Sequence, residues 1–478
     1  MQGRTRKTTQ AISISFATML TAASLIVSGC SMTGSIANNI TNSGATSTVV
    51  PVTITDAPSD QVIAASLTLN SIVLTNSAGK TTSILSAPLT FEAAHLDAVQ
   101  EPLFSPSIPE DTYVSVLLTY SNAQVAYIDP ATKQVVLAAA TLANNSQTVT
   151  FATPIAVNNT MTSLLVDFLV ANSVAISGST VTVTPAFHVA AVPIPPQPTN
   201  GTNGLDSGVR GKVTALGTNS FTLTNPGGIS MKVTVNTNTQ YQGLSGFSAL
   251  AVDALVEVDV QIQSDGSLLA LRVEQQVSPN ATAQLLVGPV TSVTGSPAAS
   301  FAMVVRQKIG PAPAATPVEK DTITINGSTT FLMPGRFSSL TGSAPPFAPV
   351  FSASTLFAGQ AVAVTTNGVT NNAATATAVA MAPQTIAGTI TQELAPTCLP
   401  CWGSFTLTLP SGSWLATVTG KTTVTVYTNG MLQQIVNNPA TVGTEVRFNG
   451  FLFMNNGSLV MVAAVAADGP GTPIGPHP

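Results

Sequence analysis

The 478-residue chain carries 15 Lys and Arg, 20 Asp and Glu and 3 His, so 7% of it is charged where about 25% is usual. A basic groove for nucleic acid needs clustered Lys and Arg, and beyond Lys7 the positive residues are scattered singly, which leaves nucleic acid out of the expected partners. Disorder is excluded as well, because 44% of the residues are apolar and can bury packed cores, about three or four of them at this length. Polarity comes instead from Thr, Ser, Asn and Gln, with 35 Gly and 33 Pro to break the chain. That composition disfavours long solvated helices and points to an all-β protein rich in turns.

Residues 1–29 hold Arg4, Arg6 and Lys7, then an apolar stretch from Ala11 to Val27, and no acidic residue. This is the layout of a secretory signal. The stretch ends in Val27-Ser28-Gly29-Cys30, which resembles the lipobox of bacterial lipoproteins. The resemblance implies a lipid on Cys30, cleavage before it, and, with Ser31 rather than Asp next in line, forwarding to the outer membrane. A lipid-held membrane partner and an exported, envelope location are therefore expected. Loss of three positive charges with the signal leaves 12 against 20, a balance of −8, which gives no electrostatic hold on anionic lipid. Residues 30–48 lack apolar periodicity and read as a flexible tether.

Residues 49–192 alternate apolar and polar side chains in short runs, as in Val52 and Ile54 against Thr53 and Thr55, or Val181 and Val183 against Thr182 and Thr184. Period two means half-buried strands, and many of them with turns at 76–79 and Asp129-Pro130 predict a β-sandwich. A short helix is expected over Phe91 to Val99. The tetrapeptide Thr55-Asp56-Ala57-Pro58, the turn Pro109-Glu110-Asp111-Thr112-Tyr113, Asp167-Phe168 and Thr184-Pro185 together resemble an uncharacterised domain family of bacterial lipoproteins. Leu169 stands where that family has a second acidic residue after Asp167.

A linker rich in Pro and then Gly spans 193–207. Beyond it the chain repeats in divergent form, with units at 208–277, 286–382 and 386–467. Each opens with Gly and an apolar strand: Gly211-Lys212-Val213, Gly288-Pro289-Val290, Gly388-Thr389-Ile390. A shared landmark follows at fixed spacing: Val235, Thr239, Tyr241; Ile325, Thr329, Phe331; Val418, Thr422, Val424. In the first unit Val256, Val258 and Val260 are expected inside with Glu257, Asp259 and Gln261 outside, and Leu269, Leu271 and Val273 inside against Ala270, Arg272 and Glu274. Five or six such strands in a short unit bury one face best by closing into a small barrel. The units resemble a second uncharacterised family of tandem surface-lipoprotein domains with a barrel like the oligonucleotide- and oligosaccharide-binding fold. Gly359 and Gly443 fit that family's Gly before the closing strands, and Asp253 replaces it in the first unit. The middle unit carries an insertion at 311–318 and 334–351, and residues 468–478 read as a disordered tail.

Candidate sites are few. Cys398 and Cys401, in an exported chain, are expected to form a disulfide clip worth roughly 2 kcal/mol. No cofactor and no metal is expected. Asp56, Asp60 and Asp167 are weak calcium candidates, since no loop spaces oxygen ligands regularly, and local turn-capping is the expected role. His95, His188 and His477 have no Gly-x-Ser-x-Gly elbow to serve, so a Ser-His-Asp hydrolase is disfavoured. Tyr241, Phe331 and Phe448 are the aromatics that a barrel face would offer to a ligand, although each falls in an apolar alternation. The resulting expectation is a non-catalytic, lipid-anchored structural or binding module of the cell envelope. The alternative is a component that presents a carbohydrate or peptide to a glycan or envelope-protein partner.

Overall fold

The computed structural model describes Thr46–Asp468 except for residues 57–58, 98–99, 130, 159–161, 194–204, 264, 281, 312–317, 336, 338–343, 399–400 and 430–441. The signal segment, Cys30, Ala57, Pro58, Val99, Pro130, most of the expected linker, the 312–317 insertion and the tail beyond Asp468 lie outside the described residues.

The chain is all-β, a sandwich followed by three closed five-stranded barrels. One sheet of the sandwich runs Ser146–Val157, Asp111–Ile128, Val62–Asn76, Thr81–Ser83, all antiparallel. The other runs Phe187–Pro193, Thr162–Phe168, Val52–Asp56, Glu101–Phe104, with the middle pair parallel. Alternate side chains meet between them: Leu67, Leu69, Ile72 and Leu74 from the first sheet, Val52, Ile54, Val166 and Phe168 from the second. Two boundaries differ from expectation. Ser47–Val49, which starts inside the expected tether, pairs with Ser107–Pro109, and Leu205–Leu216, which starts inside the expected linker, is already a barrel strand. The helix expected over 91–99 shrinks to one 3-10 turn, Ala94–Leu96.

Each barrel closes in the same order. Its first strand pairs with the second, the second with the third, the third runs parallel to the fifth, the fifth pairs with the fourth, and the fourth returns to the first. The opening glycines are demanded by sterics. A Cβ on Gly211 would lie 2.7 Å from Thr224 O, on Gly288 1.9 Å from Val304 O, and on Gly388 2.8 Å from Thr408 O. Only a residue without Cβ lets the first strand press so closely on the second. Two residues later each first strand bulges, after Val213, Val290 and Ile390. Here the chain before the fourth strand is stapled on by Asp253 N, Gly359 N and Gly443 N donating to Val213 O, Val290 O and Ile390 O at 2.9, 2.8 and 2.8 Å. These three residues have φ of +69°, +105° and +97°. Asp253 thus takes the left-handed conformation that the other two units leave to glycine.

The spaced threonine landmark holds in two units. Thr239 and Thr329 donate to Ala270 O and Ala376 O at 2.7 and 2.8 Å and accept from Asn236 N and Asn326 N at 3.0 and 3.1 Å. In the third unit Val418 lies on a helix, Trp414–Thr419, capped by Ser413 and by left-handed Gly420, so Thr422 is not equivalent. The interior alternation of the first barrel also breaks. Val256, Val258 and Val260 are buried as expected, but a bulge opposite Asp259/Val260 skips Leu271. Leu268 and Ala270 therefore face inward, while Leu269 and Leu271 are half-buried.

Candidate functional site

Ionisable side chains, sparse in the sequence, converge where the sandwich meets the barrels. Glu92, at the end of Leu89–Glu92, is buried, and its carboxylate accepts from Ala65 N, Ala94 N and His95 N at 2.9, 2.8 and 3.0 Å. Those bonds fold the 3-10 turn and aim the His95 ring, whose Nδ1 lies 3.0 Å from Glu92 Oε2 and whose Nε2 lies 3.2 Å from Glu101 Oε1. Burial opposes charge on His95, but Glu101 and Glu92 outweigh it and hold its pKa up at about 9. His95 is therefore an imidazolium at neutral pH and offers no lone pair to a substrate proton.

Two routes lead from this turn into the barrels. In one, Gln307 Nε2 donates to Glu101 at 3.4 Å and Arg210 Nη1 donates to Gln307 Oε1 at 3.1 Å. Arg210 pairs with Glu257 at 2.7 Å, and Glu257 with Arg272 at 3.3 Å. Arg272 also binds Asp259 at 2.8 Å and Glu274, and these carboxylates hold its pKa up despite burial. Glu257, expected to face solvent, is buried by this contact between barrels. In the other route, Arg306 donates from Nε to Ile63 O at 2.6 Å and from Nη1 to Ala94 O at 3.4 Å, with its guanidinium 5.9 Å from the Trp414 ring centre. Arg447 donates to Asp97 Oδ2 at 3.0 Å.

A cavity of about 130 Å³ lies beside the first route, lined by Phe91, His95, Glu101, Asn225, Arg306 and Lys308 among others. Of the residues that build the junction, His95, Asp56, Asp60 and Asp167 were candidates in the sequence and Glu257, Asp259, Arg272 and Glu274 were read only as an outer face, whereas Glu92, Asp97, Glu101, Arg210, Arg306, Gln307 and Arg447 were not singled out. The signal was there in weak form: Arg306 follows Phe301–Val305, and Arg447 lies between Val446 and Phe448, so each cation interrupts an apolar strand in a chain that has few cations to spare.

The cysteines and aromatics singled out in the sequence are dispersed. Cys398 and Cys401 are bonded, with Cα atoms 4.9 Å apart, in the exposed loop between the first two strands of the third barrel. Phe448 is fully buried and stacked on Phe405 at 5.4 Å, so it presents no face to a ligand. Phe331 is half-buried against Phe351 at 5.5 Å, and Tyr241 is half-buried against the first barrel's core. Asp56 and Asp167 are buried at the sandwich end, whereas Asp60 faces Arg447. Glu110 instead binds Thr46 and Thr48, and Asp111 binds Asn76. Among the described residues no three His, Cys, Asp or Glu side chains gather to hold a metal ion. No described helix is long and apolar enough to cross a membrane.

Comparison with known proteins adds a family for one barrel. Residues 210–274 are a domain of unknown function, DUF5666. No curated protein matches. Among solved structures the chain is similar to the single-stranded DNA-binding protein from Thermus aquaticus, wild type (12% identity, 41% of this chain, 98% of that chain, TM-score 0.15) and a deletion mutant (10%, 41%, 97%, 0.15). It is also similar to a glycoside hydrolase family 32 structure from Bifidobacterium adolescentis (10%, 87%, 67%, TM-score 0.11). The exclusion of nucleic acid from the partners expected from the sequence, a membrane lipid and a glycan or envelope protein, is corrected by these likenesses to a DNA-binding protein. At such TM-scores they establish no binding of nucleic acid here. The scarcity of Lys and Arg is still no ground for exclusion, because single strands are also held by stacking on aromatic rings.

Proposed function

We propose that this chain is an exported, non-catalytic module of the cell envelope, anchored through lipid on Cys30, in which the sandwich and barrels form one stiff body. The observation that supports this reading most directly is the use made of the buried ionisable groups. Arg210, Arg306 and Arg447 are engaged in joining one module to another and His95 is held between Glu92 and Glu101 within the sandwich, whereas catalytic acids and bases need groups left free to exchange protons. The resemblance of residues 27–30 to a lipobox and of residues 49–192 to a domain family of bacterial lipoproteins supports the envelope location.

Metabolic palmitate labelling with membrane fractionation tests the anchor. Label and membrane association are expected in the wild type and absent in Cys30→Ser; an unlabelled wild type contradicts the anchor. Turnover of polysaccharide or peptide substrates that is abolished in His95→Gln, in protein that still folds, contradicts the non-catalytic reading.

A further inference from the structure

Asp97 follows the 3-10 turn Ala94–Leu96 between Leu89–Glu92 and Glu101–Phe104, and charged groups face it from three modules. From the third barrel, Arg447 Nη1 donates to its Oδ2 at 3.0 Å and Thr385 Oγ1 donates to its carbonyl at 2.5 Å. The second barrel contributes Arg306. The sandwich contributes Asp60, 3.9 Å from Arg447 and faced in turn by Glu445. It also contributes Asp56, which forms a parallel bridge with Asp97 and is itself faced by Asp167 and Glu92. Glu92 and Glu101 hold His95 between them. Among the described residues, the cations that face Asp56, Asp60, Glu92, Asp97 and Glu101 across the junction are Arg306, Arg447 and His95.

A buried surplus of carboxylates does not persist ionised, because removing each charge from water costs several kcal/mol without a partner. Either a cation or protons must neutralise it. Asp56 Oδ2 and Asp97 Oδ1 have no hydrogen-bond partner, which a neutral carboxyl tolerates better than a carboxylate.

We infer that the junction between the sandwich and the third barrel is proton-linked: a proton taken up by the Asp56–Asp97 pair belongs to the docked arrangement, so docking tightens on acidification. Burial pushes Asp97 up to about 6 against the pull of Arg447, and burial with Asp97 beside it raises Asp56 well above the usual carboxylate range. A folded pKa above the unfolded one means that the folded state binds more protons between the two values. Stability from this pair is fully present below about pH 4 and is lost as pH rises past about 6.

The test is thermal unfolding of the full chain at pH 8 and pH 5 in wild type, Asp97→Asn and Arg447→Gln. The wild-type midpoint is expected to rise by several degrees at pH 5. Asp97→Asn, a neutral isostere of the protonated acid, is expected to melt above wild type at pH 8 and to lose much of the rise. Arg447→Gln, which leaves Asp97 without its cation, is expected to steepen it. A wild-type midpoint that falls on acidification, or an unchanged slope in Asp97→Asn, overturns the inference. So does a rise on adding millimolar calcium at pH 8 that wild type shows and Asp97→Asn lacks, because it assigns the neutralising charge to a metal. Should Asp97→Asn fail to fold, ¹³C-aspartate titration in an Asp321→Asn background decides. At least two carboxyls titrating above about pH 5 are expected, and none above about 4.5 overturns the inference.

Discussion

Asp321, on Glu319–Thr324 of the second barrel, is fully buried, and neither carboxylate oxygen has a hydrogen-bond partner. Burial, with Glu319 beside it, pushes its pKa up to about 6 against the pull of Lys308. The folded state therefore holds a proton that the unfolded chain gives up near pH 4, and ionised Asp321 is a cost to the fold above about pH 6. Replacement by Asn removes that cost. Asp321→Asn is expected to stabilise the protein by about 1–2 kcal/mol at pH 7, discounting the shift for solvent that reaches the partly exposed Lys308–Glu319 pair, and to bring no gain at pH 4. Urea midpoints at the two pH values check this, and equal gains at both would contradict it. The charged run Glu319-Lys320-Asp321 hides Asp321 in the sequence. Its alternation with Ile323 is what buries it, on the inner face of the barrel opposite Met303.

At the scale of a strand, the opening glycines carry the barrel geometry. Gly288 is the tightest of the three, and its missing Cβ is what admits Val304 O. Gly288→Ala is expected to cost about 3–5 kcal/mol and to melt the second barrel. Asp253→Gly relieves a left-handed backbone at the price of the partly exposed Lys212 contact of 2.6 Å and is expected to be neutral or stabilising by up to about 1 kcal/mol. Circular dichroism melts of both variants check the pair, and a well-folded Gly288→Ala would show that the first strand can shift outward. This part of the fold was legible: Gly followed by an apolar strand recurs three times, and the Val256, Val258, Val260 alternation names the inner face. The bulge that skips Leu271 was not, because a bulge is set by register against the partner strand. The junction was illegible for a different reason. Asp97 and Arg447 are 350 residues apart, and periodicity within a strand says nothing about which distant module covers its outer face.

The cores of the whole molecule do not respect the modules. Ile63, Ala64, Ala126 and Ile128 of the sandwich pack into the same apolar cluster as Trp414, Phe448 and Leu452 of the third barrel. The outer face of that barrel, through Phe451, Phe453, Val460 and Val462, shares a cluster with the interior of the second. Phe337, from the middle unit's insertion, sits edge-on to both Phe451 and Phe453 at 5.6 Å, and Phe347 lies 5.4 Å from Phe453. Gly335 N at the start of the same insertion donates to Glu274 Oε1 of the first barrel at 3.0 Å. The insertion, which in the sequence reads as a Pro- and Ala-rich interruption, therefore fastens the middle barrel to both neighbours. Modules joined only by linkers unfold separately, whereas modules that share desolvated apolar surface lose part of each core when any one opens. Calorimetry of the folded chain is expected to give one dominant transition rather than one for each module. Phe453→Ala, which removes the side chain common to Phe337 and Phe347, is expected to cost about 3–5 kcal/mol and to split that transition. Resolved separate transitions in the wild type would show that the shared clusters and the buried junction contribute too little to couple the modules, and the stiff-body reading would fall with them.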